Sequence, residues 1–367
     1  MSLQLEGISK VVGKETWIDD ISLELAPGSF NVLLGLTLAG KTTLMRLMAG
    51  LDRPDRGRIL QNGRDVTDVP VRKRNVAMVY QQFINYPSMT VYANIASPLR
   101  IAGLPKKEID RRVREEAERL HIAHLLDRLP GELSGGQQQR TAMARALVRD
   151  ADLLLLDEPL VNLDYKLREE LRAEMREIFA RRRSVVVYAT TDPTEALALG
   201  GRTAVLQAGR LIQYGPTLEV YHRPATEHVG YVFGEPPMNI VPGRLEGDIL
   251  LGGTTRLPAP AHFRQLPAGS YRFGIRPNHL SITRRSSAEL AVPAEVVVPE
   301  VNGSETYIHV RHHGVDWVIE QTGVHLLPIG SEIAMYLDPE RLFAFDTDGR
   351  LVAAPTPLRA AVRSGGA

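Results

Sequence analysis

The sequence predicts an α/β fold over residues 1–235 followed by an all-β region over 236–367, and three observations carry that prediction. A glycine-rich loop, Gly35-Leu36-Thr37-Leu38-Ala39-Gly40-Lys41-Thr42, sits between a β-branched apolar run and a helical pattern. A continuous apolar run, Leu153 to Leu156, ends in the adjacent carboxylates Asp157 and Glu158, as expected of a strand buried on both faces of a parallel sheet. At Gly234-Glu235-Pro236-Pro237 the texture changes to short strand-like runs split by Gly and Pro.

The elements follow in order. Ser29 to Leu34 (SFNVLL) reads as a central strand, and the loop after it leads into a helix from about Lys41 to Ala49, with Gly50 as its C-cap. Lys106 to Leu120 places Ile109, Val113, Ala117 and Leu120 on one face of a charged helix. Leu167, Leu171, Met175 and Ile178 repeat that spacing, and both stripes are core faces. Leu133-Ser134-Gly135-Gly136-Gln137-Gln138-Gln139-Arg140 is a Ser-Gly-Gly turn feeding a Gln-rich helix start, where backbone N–H groups converge on an anion. Val185 to Tyr188 is a second buried strand. Thr203 to Gln207 and Arg210 to Tyr214 form a hairpin across Ala208-Gly209. Beyond residue 236 the runs GDILLGG, GSYRFGIRP, AEVVVPEV, ETYIHVRHHG, DWVIEQ, EIAMYL and RLFAFDTDG predict a small barrel or sandwich.

Composition narrows the function. A chain of 367 residues accommodates two domains, and 44% hydrophobic with 24% charged residues is the balance of a water-soluble globular protein. No window reaches the apolar length of a membrane span, and MSLQLEGISK lacks the basic start and apolar core of a secretory signal, so the expected compartment is the cytoplasm. The absence of Cys excludes disulfides, thiolate catalysis and Cys-based zinc sites. The formal charge is +1, and residues 236–367, with 12 Arg, no Lys and 13 acidic residues, carry −1, which argues against nucleic acid as a partner. His309, His312 and His313 lack accompanying carboxylate or Cys spacing and are expected to be surface-strand residues rather than a metal site.

Residues 35–42 satisfy G-x-x-x-x-G-K-[ST] in the strand–loop–helix context that phosphate binding needs. Loop and helix N–H groups face the phosphates, Lys41 reaches the terminal ones, and Thr42 ligates Mg²⁺. Asp157 holds Mg²⁺ through water, and Glu158 polarises the attacking water as general base.

These motifs, with Tyr80-Gln81, Tyr86-Pro87, Asn162-Leu163-Asp164, Pro237-Met238-Asn239 and Gly274-Ile275-Arg276-Pro277, resemble those of the ABC-transporter ATPases. The resemblance is to the importer branch for maltose, other sugars, polyols and glycerol phosphate. It implies a P-loop ABC nucleotide-binding domain over 1–235, with a helical subdomain at about 83–150, and an oligonucleotide-binding-fold-like regulatory domain over 236–367. It also implies ATP and Mg²⁺ as cofactors and uptake of a carbohydrate or polyol. On this resemblance Gln81 senses Mg²⁺ and the membrane subunit, Asp164 belongs to the dimer seam, and Gly35 to Thr42 with Thr43 bind nucleotide. Ser134, Gly135, Gly136 and Gln137 complete the site of a neighbouring cassette. The implied partners are transmembrane permease subunits, a second ABC ATPase and, indirectly, a solute-binding protein, on the cytoplasmic face of the inner membrane.

Three positions depart from the family pattern. Leu38 replaces a glycine of the loop, Thr191 stands where a histidine usually contacts the γ-phosphate, and Val12 replaces the aromatic that stacks on adenine, with Trp17 a nearby substitute. Glycine tolerates backbone geometry that leucine resists, and threonine is shorter than histidine and never cationic. The chain therefore combines a full signature with an altered site of its own. The expectation is a heterodimer, with a homodimer and a mainly non-catalytic role as alternatives.

Overall fold

The structure, a computed structural model, describes residues 1–161, 165–180, 183–252 and 255–356. It divides into two compact units, Met1–Thr217 and Leu218–Ala367.

The first unit begins with an antiparallel sheet that the sequence reading did not anticipate, built from β1 (Leu3–Val12), β2 (Glu15–Leu25), β4 (Arg56–Gln61) and β5 (Arg64–Asp65) in the order β2-β1-β4-β5. Between its halves the chain makes β3 (Phe30–Leu34) and α1 (Lys41–Ala49). A second sheet follows from β6 (Val76–Val79), β7 (Leu153–Asp157), β8 (Val185–Thr190), β9 (Arg202–Gln207) and β10 (Arg210–Pro216), in the order β10-β9-β3-β8-β7-β6. Its pairs are parallel except for the β9–β10 hairpin, where Ala208 and Gly209 both take positive φ, as a two-residue turn requires. Every residue of β7 (LLLLD) and of β8 (VVVYAT) is buried, which explains why neither alternates polar and apolar side chains.

Helices α2 (Val91–Ile101), α3 (Lys106–Arg119) and α4 (Gly135–Leu147) form the helical insertion, with Ile109, Val113, Ala117 and Leu120 buried as the spacing predicted. In α5 (Tyr165–Ala180) Leu171 and Met175 are fully buried; the side chain of Leu167 lies outside the described residues. Short α6 (Pro193–Leu199) follows β8.

Register fixes the functional end of the parallel sheet. Leu33 pairs with Ala189 and Leu34 with Thr190, while Asp157 pairs with Ala189. The exits of β3, β7 and β8 therefore stand side by side, and Gly35, Glu158 and Thr191 leave the sheet at one edge.

The second unit starts with α7 (Thr217–His222) and α8 (Glu227–Val232), followed among the described residues by the strands β11 (Asn239–Glu246), β12 (Asp248–Leu251), β13 (Thr255–Leu257), β14 (Gly269–Ile275), β15 (Leu280–Ser281), β16 (Leu290–Val301), β17 (Glu305–His312), β18 (Val315–Thr322), β19 (Glu332–Leu337), β20 (Phe343–Phe345) and β21 (Leu351–Ala353). They form sheets of order β13-β12-β11-β14-β20-β21 and β15-β19-β16-β17-β18. One apolar core joins both sheets, with Phe273 from the first and Trp317, 1% exposed, from the second. The unit begins upstream of the texture change at residue 235 because its helices are tied into the strands. Arg276 donates to Tyr221 O (2.7 Å) and Phe233 O (3.0 Å), and Leu351 N donates to Ala225 O at 3.0 Å. Contrary to the sequence reading, His312 is buried: Nδ1 lies 2.7 Å from Pro293 O and Nε2 2.8 Å from Thr255 Oγ1.

Leu155 is fully buried in the middle of β7. Replacing it with Ala removes packing that the rigid sheet cannot restore. Leu155→Ala is expected to cost the first unit about 2–5 kcal/mol, measured as a lower urea midpoint, and an unchanged midpoint refutes that placement of the core.

Candidate active site

The glycine loop turns tightly because Ala39 N donates to Leu36 O at 3.1 Å. It is pinned from outside by Gly209 N donating to Ala39 O, also at 3.1 Å. Gly40, at φ 100°, is the N-cap of α1 and offers no side-chain cap. The N–H groups of the first turn are thus left without an intrahelical or side-chain acceptor, which is the arrangement an anion completes. The helix α4 differs: Ser134 Oγ accepts from Gln137 N at 3.4 Å and Gln137 Oε1 accepts from Ser134 N at 3.0 Å, a reciprocal capping box.

Five side chains meet at the mouth of α1. Buried Lys41 donates from Nζ to Gly35 O (2.7 Å) and Leu36 O (3.2 Å), and lies 3.5 Å from Glu158 Oε1. Thr42 Oγ1 donates to Asp157 Oδ2 at 2.8 Å, and Gln81 Nε2 donates to Glu158 Oε2 at 2.9 Å. Glu158 has left the strand with φ 45°, while its N–H still bonds Ala189 O at 3.0 Å. Such left-handed geometry in a residue with a long side chain is a local strain of the kind held at functional sites.

Burial dominates the electrostatics. It pushes the Asp157 carboxyl up, with the neighbouring Glu158 charge adding to it and the Thr42 hydrogen bond opposing. Burial also lowers the Lys41 ammonium, against the attraction of Glu158 and Asp157. Asp157 Oδ1 is buried without a hydrogen-bond partner. An orphaned carboxylate oxygen beside the Thr42 hydroxyl is a pair of hard oxygen donors, and that donor set fits Mg²⁺.

The other sequence candidates are placed around this cluster. Thr37, Leu38 and Thr43 belong to the loop and the first turn of α1; Leu38 has φ 67° and is 94% exposed. Thr191 emerges beside Gly35 and Glu158, yet no hydrogen bond joins its side chain to Lys41, Asp157 or Glu158. Val12, at the turn of the β1–β2 hairpin, is 40% exposed and Trp17 is 44% exposed. The Trp17 carbonyl closes on the loop, 3.1 Å from where a Cβ on Gly40 would stand. Ser134, Gly135, Gly136 and Gln137 make no hydrogen bond with the phosphate-type loop. Asp164 lies outside the described residues.

Two groups of polar side chains near these candidates were missed from sequence. Tyr188 Oη (2.9 Å) and Thr190 Oγ1 (2.6 Å) both donate to Glu195 Oε2, a buried carboxylate next to Thr191. A tyrosine inside the otherwise apolar VVVYAT run was the available signal. Around Gln81 to Ser88, fully buried Asn94 accepts from Tyr86 N (2.8 Å) and donates to Tyr86 O (3.1 Å) and Met89 O (2.9 Å), while Arg145 stacks 4.9 Å over the Tyr86 ring. Asn85 Nδ2 adds a 2.8 Å bond to Gln138 O, linking this segment to α4.

Comparison with known proteins matches residues 18–161 to the ABC transporter family and residues 273–345 to the TOBE domain. The trehalose/maltose import ATP-binding protein MalK of Thermococcus litoralis is 40% identical, covering 95% of this chain and 99% of its own. The xylose/arabinose import ATP-binding protein XacK of Haloferax volcanii is 38% identical, with 94% and 93% covered, and the maltose/maltodextrin import ATP-binding protein MalK of Escherichia coli is 37% identical, with 95% and 96% covered. A solved dimeric bacterial ABC transporter cassette superposes with a TM-score of 0.54 at 25% identity over 59% of this chain and 98% of that chain.

Because burial holds the Asp157 pKa above its unfolded value, this group favours the fold only when protonated. Its contribution is full below about pH 4 and is lost as pH rises through the raised folded value. Asp157→Asn is therefore expected to raise the melting temperature of the nucleotide-free chain at pH 7, with the difference shrinking toward pH 4. Equal melting temperatures at pH 7 contradict the burial cost.

Proposed function

This chain belongs to the ABC transporter family, among its sugar-import ATP-binding proteins, and on that premise we propose that it is the ATP-hydrolysing subunit of an importer for a carbohydrate or polyol. The observation that carries the reading is the convergence of Lys41, Thr42, Gln81, Asp157 and Glu158 at the uncapped start of α1. The loop N–H groups and Lys41 hold the ATP phosphates. Thr42 and Asp157, with Gln81 alongside, hold Mg²⁺, which neutralises phosphate charge when bound. Glu158 takes the proton of the attacking water, and the Gln81 amide keeps its carboxylate aimed. Trp17, exposed beside the loop, supplies an aromatic face for the base in place of Val12.

Leu38 and Thr191 weaken this site. Leucine at φ 67° carries a cost of about 1–2 kcal/mol that glycine avoids, and Thr191 supplies no imidazole to the γ-phosphate. Ser134 to Gln137, with the positive end of α4, complete the site of a second cassette in a heterodimer. One cassette of this fold has been solved as a dimer twice, the second time in a post-hydrolysis state bound to ADP and phosphate. Gln81 to Ser88, with Ile84 57% and Tyr86 46% exposed and the backbone held by Asn94, docks on a transmembrane subunit at the cytoplasmic face of the membrane.

Glu158→Gln tests the catalytic assignment. ATP hydrolysis, measured as phosphate release, is expected to fall by about 10²–10⁴-fold while ATP binding is retained; undiminished turnover removes Glu158 from the role. Leu38→Gly with Thr191→His tests the departures. Turnover is expected to rise toward the 10²–10³-fold typical of one restored transition-state contact, and no gain means these residues do not limit the site.

A further inference from the structure

Gln139 lies on α4 just past the signature residues Ser134 to Gln137, and it is 2% exposed. Its Nε2 donates to the backbone carbonyl of Pro159, the residue that follows Glu158. Its Oε1 is buried and accepts no hydrogen bond among the described residues, so the bond to Pro159 orients the whole amide. The two segments are also packed together: fully buried Leu160 shares an apolar cluster with Leu133 and with Met143, Ala144 and Leu147 of α4. A helix is stiff along its axis, and Gln139 stands only about 7.5 Å of rise from Ser134 at 1.5 Å per residue. Whatever displaces the Pro159 carbonyl therefore reaches the N-terminus of α4.

The other end of this linkage is the nucleotide loop. Glu158 is held by Lys41 Nζ at 3.5 Å, by Gln81 Nε2 at 2.9 Å and, through its own N–H, by Ala189 O at 3.0 Å. Lys41 also donates to Gly35 O and Leu36 O. An ammonium has only three donors, and phosphates entering the loop compete for all of them with stronger, charge-assisted bonds. Glu158 sits at φ 45°, a left-handed geometry that persists only while its surroundings hold it. Val161 N donates back to Glu158 O at 3.4 Å, closing the turn that contains Pro159. Drawing Lys41 away lets Glu158 relax, and the turn carries the Pro159 carbonyl with it. Gln139 follows, because parting would leave two buried polar groups unpaired.

We infer that Gln139 is a positioning residue that couples the chain's own nucleotide site to its signature helix: nucleotide held by Lys41 resets, through Glu158 and the Pro159 carbonyl, how Ser134 to Gln137 are presented to the neighbouring cassette. The inference rests on the function proposed above and gives the weakened site a task. The relay is set by binding, so a site that hydrolyses slowly still governs the one next to it. A parallel tether, Asn85 Nδ2 to Gln138 O at 2.8 Å, joins α4 to the segment after Gln81, and the two routes are separated by experiment.

Hydrogen exchange of the full chain, read by mass spectrometry with and without ADP and Mg²⁺, is the test. In the unmodified chain ADP is expected to slow exchange over residues 35–43 and to change it over 134–144 by about five-fold, the scale of one hydrogen bond. Gln139→Met keeps the side-chain volume and loses the donor. In that variant the slowing at 35–43 and the ADP affinity are expected to persist, while the change at 134–144 disappears. Loosening of α4 alone does not mimic this result, since it raises exchange equally with and without ADP. Gln139→Leu, with thermal melting to confirm folding, gives the same reading should the methionine variant unfold. Two results overturn the relay and leave the proposed function standing: slowing at 35–43 with no change at 134–144 in the unmodified chain, or a change at 134–144 undiminished in both Gln139 variants, which assigns it to Asn85. A change at 134–144 seen only where sedimentation shows two chains associated overturns it as well. No slowing at 35–43 removes the nucleotide site itself, and the relay with it.

Discussion

One hydrogen bond, from the Thr42 hydroxyl to the Asp157 carboxylate, joins the first turn of α1 to the end of β7. The proposed site of the first unit is arranged around it. The bond forms only if β3 and β7 flank β8 in the observed register, since a shift of one residue would turn Asp157 to the opposite face of the sheet. It also fixes where Lys41 and Glu158 stand, because each is a direct neighbour of one bonded residue. The cost of that arrangement is visible in the same atoms. A carboxylate is buried with one oxygen unsatisfied, and a second carboxylate is held beside it in left-handed backbone geometry.

Much of this was readable in the chain. The P-loop spacing, the LLLLD run and the Gly50 cap each state their structure through local chemistry, and α1, β7 and the β9–β10 turn form where they were expected. The antiparallel sheet of β1, β2, β4 and β5 was legible only in part. Its β1–β2 and β4–β5 hairpins turn over Gly13-Lys14 and Asn62-Gly63, a local signal the reading passed over, whereas the β1–β4 pairing spans β3 and α1 and depends on contacts that no short window contains. The buried state of His312 was hidden for a similar reason: its two partners, the Pro293 carbonyl and the Thr255 hydroxyl, come from distant strands. The start of the second unit escaped because composition changes at the strands, whereas cohesion begins at helices bound by Arg276, a residue far along the chain.

Buried polar groups hold backbone in both units. Around the first site, buried polar groups hold loops: Asn94 fixes Tyr86, and the Tyr188–Thr190–Glu195 cluster fixes the exit of β8 just before Thr191. Each is fully bonded, which lets it define one backbone path at little net cost. Buried polar atoms without a hydrogen-bond partner occur in both units, among them Asp157 Oδ1 and Asn85 Oδ1 in the first and His279 Nδ1 and Trp317 Nε1 in the second.

The placement of the two tryptophans has its own consequence. Trp17 is half exposed beside the glycine loop, and Trp317 is sealed in the core of the β-rich unit. The protein thus carries one tryptophan per unit in opposite environments, a water-facing one emitting at longer wavelength and a buried one at shorter. Selective excitation and an aqueous quencher distinguish their light without any label, so occupancy of the first unit and melting of the second can be followed in a single cuvette.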